Sequence, residues 1–220
     1  MLSPLSSSMS SVRVSWAPSQ SLATICASAN AAIYDAWSAS YDRDIREWGY
    51  EAPERATQVL AQLVPEGRGR VLDAGCGSGL QARSLADAGF GPLEGCDVSR
   101  ELLKRAEATG LYESLRVADL NVRLPYDDNA FDAVVCVGTL TYIDPQCNVL
   151  REFARIVVSG GVVLVTSRTD LKDAWEDEAR AMASEGVWRE VARQGPTPYL
   201  PGHPDYAGEL ALMLYAWQVR

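Results

Sequence analysis

The sequence lacks paired cysteines and long apolar runs. Its five cysteines (Cys26, Cys76, Cys96, Cys136, Cys147) are isolated, odd in number and never arranged as CxxC, which argues against a disulfide framework or a zinc site and fits a reducing compartment. No stretch reaches the ~18–20 apolar residues of a membrane span, because the longest apolar segment, residues 156–165, is interrupted by Ser159-Gly160-Gly161. We therefore expect a soluble protein without a metal site or a membrane partner.

Basic residues are also scarce. The chain has 20 Lys and Arg against 29 Asp and Glu, a net charge of −9, and the basic residues are scattered. An acidic surface repels phosphate backbones, so we expect no nucleic-acid partner. The length of 220 residues and the 47% hydrophobic fraction are sufficient for one sizeable domain with a full core.

The first 30 residues differ from the rest in composition. Ten of them are serine, Arg13 is their only basic residue, and no acid precedes Asp35. An organellar transit peptide is one interpretation, but such peptides are usually richer in arginine. We favour a disordered leader over residues 1–28 and a cytoplasmic protein, with a plastid or mitochondrial location as the alternative.

The remainder changes from helices to alternating strands and helices. Residues 29–64 predict helices over 31–37, capped by Asn30, over 41–49, and from Pro53 to about residue 64. Strands are predicted over 70–73, 93–97, 115–119, 131–137 and 162–166, with helices over 80–88, from Ser99 to Gly110, and over 146–157 and 170–184. Residues 188–192 and 210–219 predict two more strands. The alternation indicates an α/β fold with a mostly parallel sheet and helices on both faces.

A glycine-rich loop follows the first predicted strand. It reads Asp73-Ala74-Gly75-Cys76-Gly77-Ser78-Gly79. Glycine at alternate positions lets a ligand approach the backbone where a strand turns into a helix. The spacing differs from the GxGxxG dinucleotide fingerprint, and an acid at the turn favours a cationic sulfonium with its ammonium group over a pyrophosphate.

Two further acids lie at predicted strand ends. Asp97 follows Gly77 by 20 residues, at a position where a carboxylate can accept hydrogen bonds from both ribose hydroxyls. Asp119 can accept the adenine amine, with Val98 and Leu120 on either side of the ring. Ligands bind outside the carboxyl ends of parallel strands, so we expect the three acids to surround one cofactor.

These motifs resemble class I S-adenosylmethionine-dependent methyltransferases. The resemblance rests on VLDAGCGSG, GCDVS, ADL with LPYDDNAFD, and SGGVVLV, and covers about residues 31–219. It implies a Rossmann-like, seven-stranded, mostly parallel sheet in a single domain over 29–220, with a helical lid over 29–64 and a core over 65–220. It implies S-adenosyl-L-methionine as the cofactor, with its methionine end near the Asp73 loop, its ribose on Asp97, its adenine beside Asp119, and its methyl group near Val137.

The N-terminal part carries a narrower resemblance. Tyr34-Asp35-Ala36-Trp37 and Tyr41-Asp42 resemble the YDxWAxxYD opening of small-molecule methyltransferases. With REWGYEAPERA and PYLPG, they are most similar to the Williams–Beuren syndrome region methyltransferase-like subfamily. Tyr34, Trp37 and Tyr41 are then expected to cover the cofactor, since aromatic faces attract a sulfonium; ordinary helix packing is the alternative.

The methyl acceptor is not indicated by any motif, although we expect a small molecule. Thr139 and Tyr142, after the fourth strand, and His203, the single histidine, are candidate substrate-facing residues; no catalytic residue is assigned. Two other functions stay open: a catalytically silent cofactor-binding or partner module, and an NAD-dependent oxidoreductase, which the missing third glycine disfavours. The sequence does not indicate the oligomeric state.

Overall fold

The computed structural model describes residues 34–64, 68–204 and 210–220. Within these ranges the chain forms six complete α-helices, a helical segment over residues 34–37 and seven strands, with short 3₁₀ turns at Leu140–Tyr142 and Pro145–Cys147. The helices are α1 (Tyr41–Glu47), α2 (Ala52–Leu63), α3 (Leu80–Asp87), α4 (Arg100–Ala108), α5 (Val149–Ile156) and α6 (Lys172–Ser184). The strands are β1 (Arg68–Ala74), β2 (Gly91–Asp97), β3 (Ser114–Val117), β4 (Phe131–Cys136), β5 (Val157–Arg168), β6 (Trp188–Pro198) and β7 (Ala211–Val219).

The strands form one sheet in the order β3-β2-β1-β4-β5-β7-β6. Neighbouring strands from β3 to β5 are parallel, whereas β7 is antiparallel to both β5 and β6. The predicted seven-stranded, mostly parallel sheet is therefore confirmed. Strand order reverses beside β1, between β2 and β4, so the carboxyl ends of these strands form the natural ligand crevice.

Helices cover both faces of the sheet, as predicted. Successive strand residues point to opposite faces, and on β1 the neighbours Val71 and Leu72 are both buried. Val71 belongs to a core with α2 and α3, whereas Leu72 belongs to a core with α5 and α6. The central strands are consequently apolar along both faces, which explains the unbroken apolar run of β4.

Three predicted boundaries were wrong. The helix predicted over 146–157 begins at Val149, because Asn148 has a left-handed φ of 59° after a 3₁₀ turn capped by Asp144. The Ser159-Gly160-Gly161 segment does not precede the fifth strand but lies inside β5, as an irregularity in its pairing with β4. A Cβ on Gly161 would lie 2.5 Å from the Asp132 carbonyl oxygen, so glycine permits the close approach of these strands.

The third boundary concerns β3, which ends at Val117. Asp119, predicted to end this strand, lies two residues beyond it, in the following loop.

The predicted N-terminal helices are present where the structure describes them. Residues 34–37 are helical, and α1 and α2 match the helices predicted over 41–49 and from Pro53. Asn30 and the predicted leader over residues 1–28 lie outside the described residues. No helix in the described part of the chain combines the length and the apolar character needed to cross a membrane.

Candidate active site

Hydrogen bonds connect the glycine loop to β2 on one side and to the chain after β4 on the other. The amides of Gly75 and Cys76 donate to the Cys96 carbonyl on β2, at 2.8 and 3.0 Å. On the other side, the Thr139 hydroxyl, which follows β4, donates to the Gly75 carbonyl at 3.2 Å. Gly75 has a φ of +77°, and a Cβ there would lie 2.4 Å from Thr139 Oγ1, so both the backbone and the close contact require glycine.

Asp97, the last residue of β2, is oriented by two backbone amides. The Gly77 amide donates to Oδ2 at 2.9 Å and the Ser99 amide donates to Oδ1 at 2.8 Å. Burial raises the pKa of this carboxyl, and these amides oppose the rise because they favour the charged form. Each carboxylate oxygen can accept more than one hydrogen bond, so Asp97 retains acceptor capacity for a vicinal diol.

Asp73, near the end of β1, is almost fully buried, with 1% exposed. Burial raises the pKa of its carboxyl to about 7, and the charge of Asp97 adds to the rise. The Tyr112 hydroxyl donates to Asp73 Oδ2 at 2.7 Å and opposes the rise. A cationic ligand group beside Asp73 would favour its charged form.

The Asp119 carboxylate accepts hydrogen bonds from Asn121, two residues later in the chain. The amide and the side-chain Nδ2 of Asn121 both donate to Asp119 Oδ1, each at 2.9 Å. No described residue donates to Asp119 Oδ2, which is left for a ligand donor. Asn121 is fixed in turn, because its Oδ1 accepts from the Asp144 amide at 2.9 Å.

One cavity collects nearly all the predicted site residues. It encloses about 1330 Å³ of space, including open solvent at its mouth. It lies between the carboxyl ends of the strands and residues 34–50, called the N-terminal segment below. Its lining includes these predicted cofactor residues: Tyr34, Tyr41, Asp73, Gly75, Gly77, Asp97, Val98, Asp119, Leu120 and Val137. Gly79 does not line it; a Cβ there would contact Tyr112 and α4 instead, so this glycine serves the packing of α3.

Aromatic rings of the N-terminal segment form one wall of the cavity. Tyr34, Trp37 and Tyr41 contact one another, with ring centroids 4.8–6.2 Å apart, a range typical of favourable aromatic pairs. Tyr34 also packs edge-on against Tyr142, with centroids 5.4 Å apart. The N-terminal segment thereby contacts the chain that follows β4.

Asp35 and Asp42 of this segment form polar contacts with the glycine loop and with α4. The Ser99 hydroxyl donates to Asp35, and the Ser78 hydroxyl donates to Asp42. Asp42 also forms an ion pair with Arg105 of α4 at 3.4 Å. Ser99 carries one of the two amides that orient Asp97, and Ser78 follows Gly77, which carries the other. These contacts therefore join the N-terminal segment to the region around Asp97.

The predicted substrate-facing residues all line the cavity. The Thr139 hydroxyl is engaged with the glycine loop, as described above. Burial raises the pKa of the Tyr34 and Tyr142 phenols well above the usual value. His203 is only 5% exposed, with its ring centroid 4.3 Å from that of Trp48.

Other residues that line the cavity were not predicted from the sequence, chiefly Tyr50, Arg168 and Tyr199. The Tyr50 hydroxyl lies 2.5 Å from where a Cβ on Gly138 would be, directly after β4. Arg168 is the last residue of β5, and the strand-end rule used for Asp97 could have found it. Tyr199 packs edge-on against Tyr50, with centroids 5.6 Å apart. In the described part of the chain, no group of three or more His, Cys, Asp or Glu side chains could hold a metal ion.

Comparisons with known proteins agree with this geometry. A family model described as a methyltransferase domain matches residues 72–165, which include the glycine loop, Asp97 and Asp119. The chain is 36% identical over 164 residues to methyltransferase-like protein 27 of Homo sapiens, covering 71% of this chain and 66% of that protein. It is 34% identical over 120 residues to a ubiquinone biosynthesis O-methyltransferase of Xanthomonas oryzae pv. oryzae, covering 52% of this chain and 49% of that protein.

The fold is also found among solved structures. The crystal structure of the cyclase SpnF superposes with a TM-score of 0.70 and 18% identity, covering 88% of this chain and 96% of that chain. At this identity the likeness concerns the fold. Together with the matched family model and the human relative, it shows that the chain belongs to the class I S-adenosylmethionine-dependent methyltransferases.

Proposed function

We propose that this protein transfers the methyl group of S-adenosylmethionine to a small-molecule acceptor bound in the cavity beneath its N-terminal segment. The observation that carries the proposal is the convergence of Asp73, Asp97 and Asp119 with the glycine loop on one aromatic-walled cavity. When bound, the cofactor supplies an activated methyl group. The protein's contribution is then to orient the two reactants and to exclude water.

The chemistry of the donors and acceptors in the cavity fits this cofactor. Asp97, fixed by the amides of Gly77 and Ser99, would accept both ribose hydroxyls. Asp119, with Oδ2 available, would accept the adenine amine. Asp73 would lie near the ammonium of the methionine part, and Gly75 and Gly77 would allow the backbone to approach it. Val98 and Leu120 would contact the adenine ring, and Val137 would lie near the methyl group.

We assign the predicted lid to residues 34–50, since α2 packs in the core with α3 and β1. Tyr34 and Tyr41 of the aromatic wall would contact the sulfonium face, where cation–π attraction contributes roughly 0.5–2 kcal/mol. Asp35 and Asp42 would hold the lid closed through Ser99 and Ser78. Because these serines adjoin the amides that orient Asp97, lid closure and cofactor binding should stabilise each other.

The acceptor would lie beyond β4. Tyr50 lies against Gly138, and Tyr142 follows in the next turn. Burial raises the pKa of both phenols well above the usual value, so both stay neutral at physiological pH and can donate hydrogen bonds to an acceptor oxygen or nitrogen. His203, buried near Trp48, is a further candidate contact on this side.

A small acceptor is favoured over a macromolecule for two reasons. The N-terminal segment and the turn containing His203 close over the cavity, with ring contacts between Trp48 and His203. The net charge of −9 also disfavours nucleic acid. The similar Xanthomonas protein is named for an O-methyltransferase of ubiquinone biosynthesis, and a small-molecule acceptor for this chain is in keeping with that name.

Transfer of a labelled methyl group tests the proposal. Purified protein is incubated with S-adenosylmethionine carrying a deuterated methyl group and a cell extract separated into small-molecule and macromolecular fractions. We expect mass spectrometry to find the label in a small molecule, and Asp97→Ala to reduce its incorporation when the cofactor is below saturation. Label only in protein or nucleic acid would refute the small acceptor; label in neither fraction, despite cofactor binding, would favour a catalytically silent module.

A further inference from the structure

The charges around the cavity are divided between its two ends. In the sheet order β3-β2-β1-β4-β5, Asp119, Asp97 and Asp73 belong to the β3, β2 and β1 side, and β4 is central. Arg168 ends β5, on the opposite side of β4. Among the described residues that line the cavity, Arg168 is the only lysine or arginine, and the three acids all lie at the other end.

Arg168 is held in place but keeps free donors. Its Nε and Nη2 donate to the two oxygens of Asp170, at 3.0 and 2.6 Å. A guanidinium has five N–H donors, and no described residue accepts a hydrogen bond from Nη1. The bidentate pair thus fixes the plane of the guanidinium and leaves another edge for a ligand.

The pair with Asp170 does not cancel the charge of Arg168 within the cavity. The Arg168 side chain is 11% exposed, whereas that of Asp170 is 45% exposed and does not line the cavity. Water screens the carboxylate more strongly than the buried guanidinium. Burial lowers the pKa of Arg168, but the hydrogen bonds and charge of Asp170, together with Tyr199 and Tyr142, keep it raised overall.

The groups near Arg168 are the phenol rings of two tyrosines. Tyr142 and Tyr199 both line the cavity beside it, and the positive charge of Arg168 partly offsets the burial that raises the pKa of Tyr142. Tyr50 packs against Tyr199. An ammonium at this end would meet the Arg168 cation, and no carboxylate lines this end among the described residues; an anionic oxygen would be attracted by Arg168.

We propose that the methyl acceptor is a small molecule with an anionic group, a carboxylate or a phosphate ester, that binds Arg168 while its apolar part lies among the rings of Tyr50, Tyr142 and Tyr199. The proposal rests on the proposed function, because it assigns the β5 end of the same cavity to the acceptor. Arg168 acts as a specificity-determining residue and takes no part in the chemical step.

Matched probes test this charge preference. Phenylacetate, phenylacetamide and 2-phenylethylamine share a ring and chain but differ in charge, and each is titrated by calorimetry into protein saturated with S-adenosylhomocysteine. We expect phenylacetate to bind most tightly. Arg168→Gln should weaken phenylacetate by about tenfold or more, as expected for a charge-assisted hydrogen bond, and leave phenylacetamide unchanged. Asp170→Asn removes the opposing charge and leaves one acceptor oxygen for Arg168, so it should strengthen phenylacetate.

The controls separate the possible failures. Unchanged affinity of both variants for S-adenosylhomocysteine shows that they fold. Phenylacetate binding no tighter than the amide or the amine, or binding equally well to Arg168→Gln, overturns the anionic acceptor but leaves the methyltransferase function intact. Failure of wild-type protein to bind S-adenosylhomocysteine would instead overturn the proposed function.

Discussion

Replacing Asp97 by alanine should weaken cofactor binding selectively through the ribose. The carboxylate is held by the Gly77 and Ser99 amides at 2.9 and 2.8 Å, so it meets a ligand in a fixed orientation. A hydrogen bond to a charged group contributes about 1.5–3 kcal/mol, which corresponds to an increase of about 10- to 150-fold in Kd. Part of any loss could come from the glycine loop, because alanine leaves both amides without this acceptor.

A ligand-side control separates the two causes. Wild type and Asp97→Ala are titrated by calorimetry with S-adenosylhomocysteine and with its 2′-deoxy analogue. We expect the variant to lose less affinity for the deoxy ligand, because one of the two bonds is already absent. Equal losses for both ligands would assign the effect to the loop, and unchanged affinity for S-adenosylhomocysteine would refute the ribose contact.

Three further variants test the loop, the lid and the buried acid. Gly75→Ala should lower the melting temperature and abolish cofactor binding, because its Cβ would overlap Thr139. The control Gly110→Ala has a similar φ of +67° but open space around the new Cβ, so it should cost only the ~1–2 kcal/mol of backbone strain. Equal effects of the two variants would contradict the close contact at Gly75. Asp42→Ala should raise the dissociation rate of S-adenosylhomocysteine by about tenfold through loss of the Ser78 bond, whereas Asp87→Ala, at an exposed site, should not; identical rates would refute the lid. Burial raises the pKa of Asp73 to about 7. The protonated carboxyl therefore contributes its full share to the free energy of unfolding below about pH 4, and this contribution is lost as the pH rises through 7. Cofactor binding near pH 6.5 should then release a proton, seen as a heat that depends on the buffer, and Asp73→Asn should not release it; equal release by both proteins would contradict the assignment.

The sequence predicted the fold, and most residues predicted to bind the cofactor line the same cavity. Asp97 could be predicted because the distance from a glycine loop to the end of the next parallel strand is set by one helical crossover. Asp119 was predicted as a strand end and lies two residues further, yet it still lines the cavity because the loop continues along the same edge. Gly79 has the same spacing as Gly75 and Gly77 but faces α4, a distinction that depends on tertiary packing.

The β5 end of the cavity was predicted less well, because it is assembled from distant segments. Tyr50 and Tyr199 are brought together from the start of α2 and the end of β6, and their motifs carry no sign of that contact. Arg168 lies two residues after the predicted end of the fifth strand, and only the strand order shows that it lies across β4 from the three acids. The Ser159-Gly160-Gly161 segment reads as a turn, although its glycines accommodate an irregularity inside β5.

Direct titration of the purified protein with cofactor ligands tests the central claim. We expect S-adenosylmethionine and S-adenosylhomocysteine to bind one site with micromolar affinity, since Asp73, Asp97 and Asp119 would each face a matching group. We expect NAD not to bind, because its pyrophosphate would meet Asp73. Binding of NAD as tightly as of the adenosyl ligands, or binding of none of them, would contradict the central claim.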